Sequence, residues 1–190
     1  MPGNAIKRAL LAVLAAMLCT ASSASGQETA WATAVATRPS DQHRIIHRYR
    51  SEFPPSFQRS LYPNRVTIAW TYQSKSGMPS TAEREAMDRM EDLLEAHVEK
   101  DALATLVLVS TGEGLREWVY YTKSQQTFMA KMNEAFRGLP RFPIEVDLWN
   151  DPKWERYESF KAGVQNKGVK PAARSSPPTP ADSPPSSPPR

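Results

Sequence analysis

The sequence predicts an α+β domain, on three observations. Between residues 66 and 149, strand-like and helical runs follow one another as strand, helix, strand, strand, helix, strand. Two Trp-x-Tyr pairs, Trp70/Tyr72 and Trp118/Tyr120, sit at alternate positions of two of those strands, which is the period of a sheet. Composition also shifts abruptly on either side of this block. The succession is that of the ferredoxin-like βαββαβ plan, an antiparallel sheet of four strands in spatial order 4-1-3-2 with two helices on one face, here followed by a short C-terminal helix.

Each element has a local cause. Residues 66–72 are β-branched and aromatic and form the first strand, which Gly77-Met78-Pro79 ends. Ser80 and Glu83 then make a capping box, worth about 1 kcal/mol to the helix that follows. That helix runs to about Lys100, with Met87, Met90, Leu94 and Val98 along one side. Its remaining faces carry Glu83, Asp88, Glu91, Asp92, Glu95 and Glu99, the pattern of a wetted surface. Residues 103–111 form the second strand, and Gly112-Glu113-Gly114 turns tightly into the third, residues 115–122. Thr122 and Gln125 are placed to cap the second helix, whose stripe is Phe128, Met132 and Phe136 and which should stop at Gly138 before Pro140. Residues 144–149 form the fourth strand. Asp151 and Pro152 start a last short helix bearing Trp154, Tyr157 and Phe160.

Outside residues 61–161 the chain reads differently. Residues 1–26 place Lys7 and Arg8 before the ten apolar residues 9–18 and a small-residue stretch ending at Gly26, the layout of a cleaved secretory signal. Ten apolar residues are too few for a bilayer core that needs about 20. The expected location is therefore the periplasm or the extracellular space, with no stable membrane span once the signal is removed. Cleavage removes Cys19, the only cysteine, and with it disulfide, thiol and cysteine-metal chemistry. Residues 27–60 read as a polar basic linker with at most a short helix near 41–51. Residues 162–190 read as a disordered tail, since 171–190 hold eight prolines and five serines with no aromatic residue. A spacer role for that tail outweighs one as ligand of a proline-binding domain.

Charge follows these boundaries. Residues 1–26 carry two basic groups and no acid, 27–60 five against three, 61–161 thirteen against sixteen, and 162–190 four against one. The basic excess of the whole chain thus lies at its ends. A body with net charge −3 lacks the cationic face that phosphate binding demands, so nucleic acid is not the expected partner.

Several stretches together, Ile68-Ala69-Trp70-Thr71-Tyr72, Gly77-Met78-Pro79, Glu91-Asp92-Leu93-Leu94, Gly114-Leu115-Arg116-Glu117-Trp118-Val119-Tyr120-Tyr121-Thr122 and Asp151-Pro152-Lys153-Trp154 with Tyr157, resemble the bacterial domain of unknown function 695. The likeness spans roughly residues 65–161. It implies a compact α+β domain and no known chemistry.

Strand parity assigns a candidate site. Val66, Ile68, Leu115, Val119, Ile144, Val146 and Leu148 are expected to face the helices. The opposite face would then show Thr67, Ala69 and Thr71 as the floor of a trough, with Arg116, Trp118 and Tyr120 on one wall and Glu145, Asp147 and Trp149 on the other. The competing reading is plain packing, with the terminal helix, residues 41–51 or a second subunit covering the same aromatics. Arg116 and Glu117 are expected on opposite faces rather than as a reactive couple.

The sequence offers little catalytic chemistry. His43 and His47 could share a helix face as metal ligands but have no third ligand, and His97 has a structural role near a helix end. No G-x-S-x-G elbow, phosphate-cradling glycine loop or H-E-x-x-H run occurs. No cofactor is expected. The leading expectation is an exported, non-catalytic module that binds a small molecule or protein on the sheet face around Trp118, as a monomer or homodimer. An RNA-binding or RNA-metabolism domain, stacking bases on sheet aromatics, is the alternative. A hydrolase using Glu145, Asp147 and Asp151 is a weaker one.

Overall fold

A computed structural model describes residues 30–38, 40 and 42–166. Residues 1–26, expected as a signal, and nearly all of the segment 162–190, expected as a proline-rich tail, lie outside the described residues. The elements are strands β1 (Trp31–Thr37), β2 (Arg44–Arg50) and β3 (Asn64–Thr71), helix α1 (Thr81–Leu94), strands β4 (Ala104–Gly112) and β5 (Leu115–Thr122), helix α2 (Gln125–Ala135), strand β6 (Ile144–Asn150) and helix α3 (Glu155–Asn166). All six strands join one antiparallel sheet in the order β1-β2-β4-β5-β3-β6. The four strands expected from the sequence are β3, β4, β5 and β6, and they are contiguous within it.

Much of the segment expected as a linker is instead the β1–β2 hairpin, and residues 42–51 form no helix. Ala32, Ala34 and Tyr49 bury one face of the hairpin, while Arg44, Arg48 and Arg50 intervene at alternate positions of β2. Arginines at three of the four alternate positions 44, 46, 48 and 50 gave the stretch its linker-like composition. They are half of a strand pattern whose other half is Ile45, His47 and Tyr49. His43 and His47 consequently lie along extended chain, about 13 Å apart at strand rise, too far to share a metal ion.

The helix signals behave as written. Ser80 accepts from the Glu83 amide at 3.3 Å and Glu83 accepts from the Ser80 amide at 2.8 Å, closing the capping box. After Leu94 the chain widens into one π turn, Glu95–Glu99, before leaving the helix. Ser124, not Thr122, caps α2, accepting from the Thr127 amide at 3.2 Å. The β4–β5 turn is made by Glu113 (φ 56°) and Gly114 (φ 74°), so a two-residue turn with both residues left-handed joins the paired Gly112 and Leu115.

Gly112 serves a different purpose. A Cβ there would sit 2.4 Å from the Arg44 carbonyl oxygen and 2.9 Å from the Ile45 Cα, so β2 passes directly over this residue. Gly112→Ala is expected to part the start of β2 from the β4 hairpin, costing about 1–3 kcal/mol as other overpacking changes do. Urea unfolding, with amide exchange at Ile46 and His47 as the local readout, checks it.

The sheet is covered on both faces. Under α1 and α2 lie Val66, Ile68, Trp70, Leu106, Val109, Trp118 and Tyr120, packed against Met87, Met90, Leu94, Phe128 and Met132. On the reverse face, Val107, Leu108, Val119 and Tyr121 meet Trp154, Tyr157 and the partly buried Phe160 and Val164 of α3. A bulge at Val107 in β4 sends Val107 and Leu108 together to the α3 side.

Candidate functional site

The expected trough does not form. Ile68 pairs with Trp118, and Val66 with Tyr120, so the two rings share the face of Val66 and Ile68 and point at the helices. Trp118 is 0% exposed and packs with Met87 and Met90. Thr67, Ala69 and Thr71, with Glu145, Asp147 and Trp149, lie on the α3 side as expected, one layer away from Arg116, Trp118 and Tyr120. The phase of β5 alone was inverted: Val119 faces α3, and Leu115 sits exposed at the turn. The cause is burial on both sides. From Trp118 to Thr122 every residue is buried, so apolar character carries no parity.

Of the remaining trough residues, Trp149 stays 56% exposed on the edge strand, with the Arg65 guanidinium 5.4 Å from its ring centre. Among the described residues, no hydrogen bond or ion pair joins Glu145 or Asp147 to another side chain, and Asp151 serves as a cap. Its carboxylate accepts from the Tyr121 hydroxyl at 2.7 Å and from the Glu155 and Arg156 amides at 2.8 and 3.3 Å. Burial pushes this carboxyl up. The hydroxyl, the two amides and nearby Arg65 outweigh that and hold it below the usual carboxylate range. Beside it the Trp154 indole stacks on Tyr121 at 4.0 Å and donates to the Tyr62 carbonyl at 3.0 Å. Asp151-Pro152-Lys153-Trp154 is thus a lock for α3 rather than a reactive site.

The Arg116-Glu117-Trp118 stretch divides its work between the faces. Glu117 accepts from Arg156 of α3 at 2.8 Å. On the other face, the Arg116 guanidinium reaches Asp88 at 2.8 Å and Glu91 at 3.1 Å, and Trp118 donates its indole N–H to Glu91 at 2.8 Å. Arg48 of β2 also binds Glu91. One α1 carboxylate therefore ties together two strands and a helix.

Arg48, Asp88 and Arg116 of this network also line an open recess. Arg48 and Ile46 of β2, Val109 and Thr111 of β4, Arg116 of β5, Arg84 and Asp88 of α1, and the lip Met78-Pro79 enclose about 380 Å³. The lip is fixed, because the Gly77 carbonyl accepts from both the Tyr72 hydroxyl at 2.9 Å and the Gly114 amide at 3.1 Å. Burial, with Glu83 adding to it, pushes Tyr72 up to about 12, so it remains a donor. Arg116 is 8% exposed, yet its Nε is buried without a hydrogen-bond partner. Arg84 makes no ion pair among the described residues. Three guanidinium groups against the carboxylates of Asp88 and Glu91 leave one positive charge in excess. Such a recess suits a monoanion with a short apolar body, since guanidinium forks grip carboxylates and Ile46, Met78, Pro79 and Val109 supply the walls.

Sequence reasoning found Arg116 but missed Arg48, Arg84 and Thr111. The Arg44–Arg50 alternation was the available signal for Arg48. Nothing in the sequence places Arg84 near it. No cluster of three or more potential metal ligands occurs among the described residues.

The architecture is that of an α+β domain whose polar interior is built on arginine and carboxylate. The chain belongs to the family of unknown function DUF695, whose model matches residues 30–161. The match takes in the β1–β2 hairpin as well as the stretches that carry the resemblance. No curated protein matches the chain.

Proposed function

We propose that this protein is an exported, non-catalytic binding module whose ligand is a small solute or chain end bearing one carboxylate, held in the recess between α1, β2 and β5. Its fold is read as a ferredoxin-like unit, β3 to β6, extended along the β4 edge by the β1–β2 hairpin. The β4-β5-β3-β6 order supports that reading. Export rests on the signal-like residues 1–26.

The observation that carries the binding proposal is the recess lined by Arg48, Arg84 and Arg116, with one positive charge in excess over Asp88 and Glu91. The Nε of Arg116 is buried without a partner, at a cost of about 1–3 kcal/mol, which a carboxylate would recover by drawing the guanidinium towards the recess. Arg84 supplies a second fork and Thr111 a hydroxyl. Three of the resemblance stretches, Gly77-Met78-Pro79, Glu91-Asp92-Leu93-Leu94 and the one containing Arg116, meet here. An RNA-stacking reading has less support, since Trp118 and Tyr120 lie beneath helices.

Trp118 lies under the Arg116 guanidinium, 5.0 Å from ring centre to carbon, so its fluorescence should report occupancy. Titration of the mature protein with benzoate is expected to give a saturable change. Arg84→Ala should weaken it about tenfold, the size of one charge-assisted contact, while leaving the melting temperature near wild type. Equal affinity in Arg84→Ala, or no saturable change with benzoate or N-acetyl-leucine, would contradict the assignment.

A further inference from the structure

A second recess lies on the other flank of α1. Arg84 and Asp88 look into the arginine-lined site, whereas Ala86, Arg89 and Leu93 look towards the connection between α2 and β6. There a cleft of about 640 Å³ opens over Trp70, Ala86, Leu93, Leu139, Phe142 and Pro143. That volume falls within the range of small-molecule sites, roughly 300–1,000 Å³. The floor is firm: Phe142 packs 5.8 Å from the Trp70 ring and 4.9 Å from that of Phe136, all continuous with the main core. Leu139, on the rim, is 45% exposed.

The rim carries a net positive charge. Arg89 and Arg141 line the cleft without an ion-pair partner among the described residues, and Asp92 is the one acid beside them. An apolar floor bordered by two cations and one anion complements a molecule with an apolar body and a negative head. We propose that this cleft binds a single-chain anionic amphiphile, its tail over Trp70 and Phe142 and its head between Arg89 and Arg141. The proposal does not depend on the arginine recess, from which α1 separates it.

Dodecanoate is the probe, measured calorimetrically on the mature full-length chain, with dodecyltrimethylammonium as the cationic counterpart of similar tail. Dodecanoate is expected to bind at least about tenfold more tightly than the cation, as expected when two charge contacts change sign. Ala86→Trp should fill the cleft and remove binding. The double change Arg89→Glu with Arg141→Glu, both on exposed positions, should weaken dodecanoate by roughly tenfold or more and abolish the preference for the anion, which keeps the test decisive should Ala86→Trp fail to fold. Equal binding of the two surfactants, or dodecanoate binding unchanged by the double reversal, overturns the proposal. So does concentration-dependent dimerisation that Ala86→Trp abolishes, which would make a second copy the occupant.

Discussion

Replacing Glu91 by alanine is expected to destabilise the protein by about 3–5 kcal/mol, the loss seen when one member of a buried ion pair is removed. The magnitude follows from what is left behind. Arg116 keeps only Asp88, whose side chain is largely exposed, and the buried Trp118 N–H loses its acceptor. Arg48 contributes little to the sum, because its side chain is half in water. Glu91→Gln should cost less, since its amide oxygen can still accept one of these bonds. Urea denaturation at neutral pH measures both. Removing both partners with apolar replacements, Glu91→Leu with Arg116→Met, should be milder than Glu91→Ala alone, because no charge is then stranded. A loss below about 1 kcal/mol for Glu91→Ala would show that this carboxylate is solvated and that the helix is held by its methionines alone.

Trp154→Ala should be comparably severe, about 3–5 kcal/mol, or a fall in melting temperature of roughly 10 °C for a chain of this length. The indole is fully buried, stacked on Tyr121, edge-on to Phe53, Phe57 and Tyr157, and bonded to Tyr62. It also sits at φ 59°, a left-handed conformation that bulky residues rarely adopt. The surrounding aromatic cage, with Asp151 accepting the Glu155 and Arg156 amides, holds the backbone there. This gives an ordering that plain loss of packing would not. Trp154→Gly should be about 1 kcal/mol less destabilising than Trp154→Ala, since glycine alone accepts that backbone without strain. Thermal melts of the two variants decide it. Alanine proving equal or better would mean that the turn relaxes when the ring is removed.

The part of the fold legible in the sequence was the part written by turns and caps. Ser80 with Glu83, the glycine turn at 112–114 and the stripe Met87, Met90, Leu94 each fixed an element because each has one geometry that suits it. The β1–β2 hairpin was missed because Arg48 and Arg50 make contacts within the fold, Arg50 from a largely buried position and Arg48 from a half-exposed one. Their guanidinium groups each lie 5.0 Å from the centre of the Trp31 ring, and Arg48 reaches Glu91, so residues that look like solvent-facing linker are strand. The candidate site was missed for a different reason. Alternation fixes a face only where the other face is wet, and α3 covers the reverse of β5. Trp118 and Val119 are equally buried, so no count of apolar residues could have told which one faced α1. Edge strand β6, exposed on the α3 side at Glu145, Asp147 and Trp149, was assigned the right phase by the same rule.

What the side chains of Arg116, Glu91 and Trp118 have in common is that they meet at one helix face, and one of their polar atoms has no partner there. The most direct test follows the Arg116 Nε–H resonance of the isotope-labelled protein during titration with benzoate. The account predicts that this resonance shifts and saturates together with the Thr111 amide, and that Arg84→Ala shifts the midpoint to higher concentration without disturbing the rest of the spectrum. An Nε–H signal that stays in place while ligand binds elsewhere, or that never responds, would contradict it.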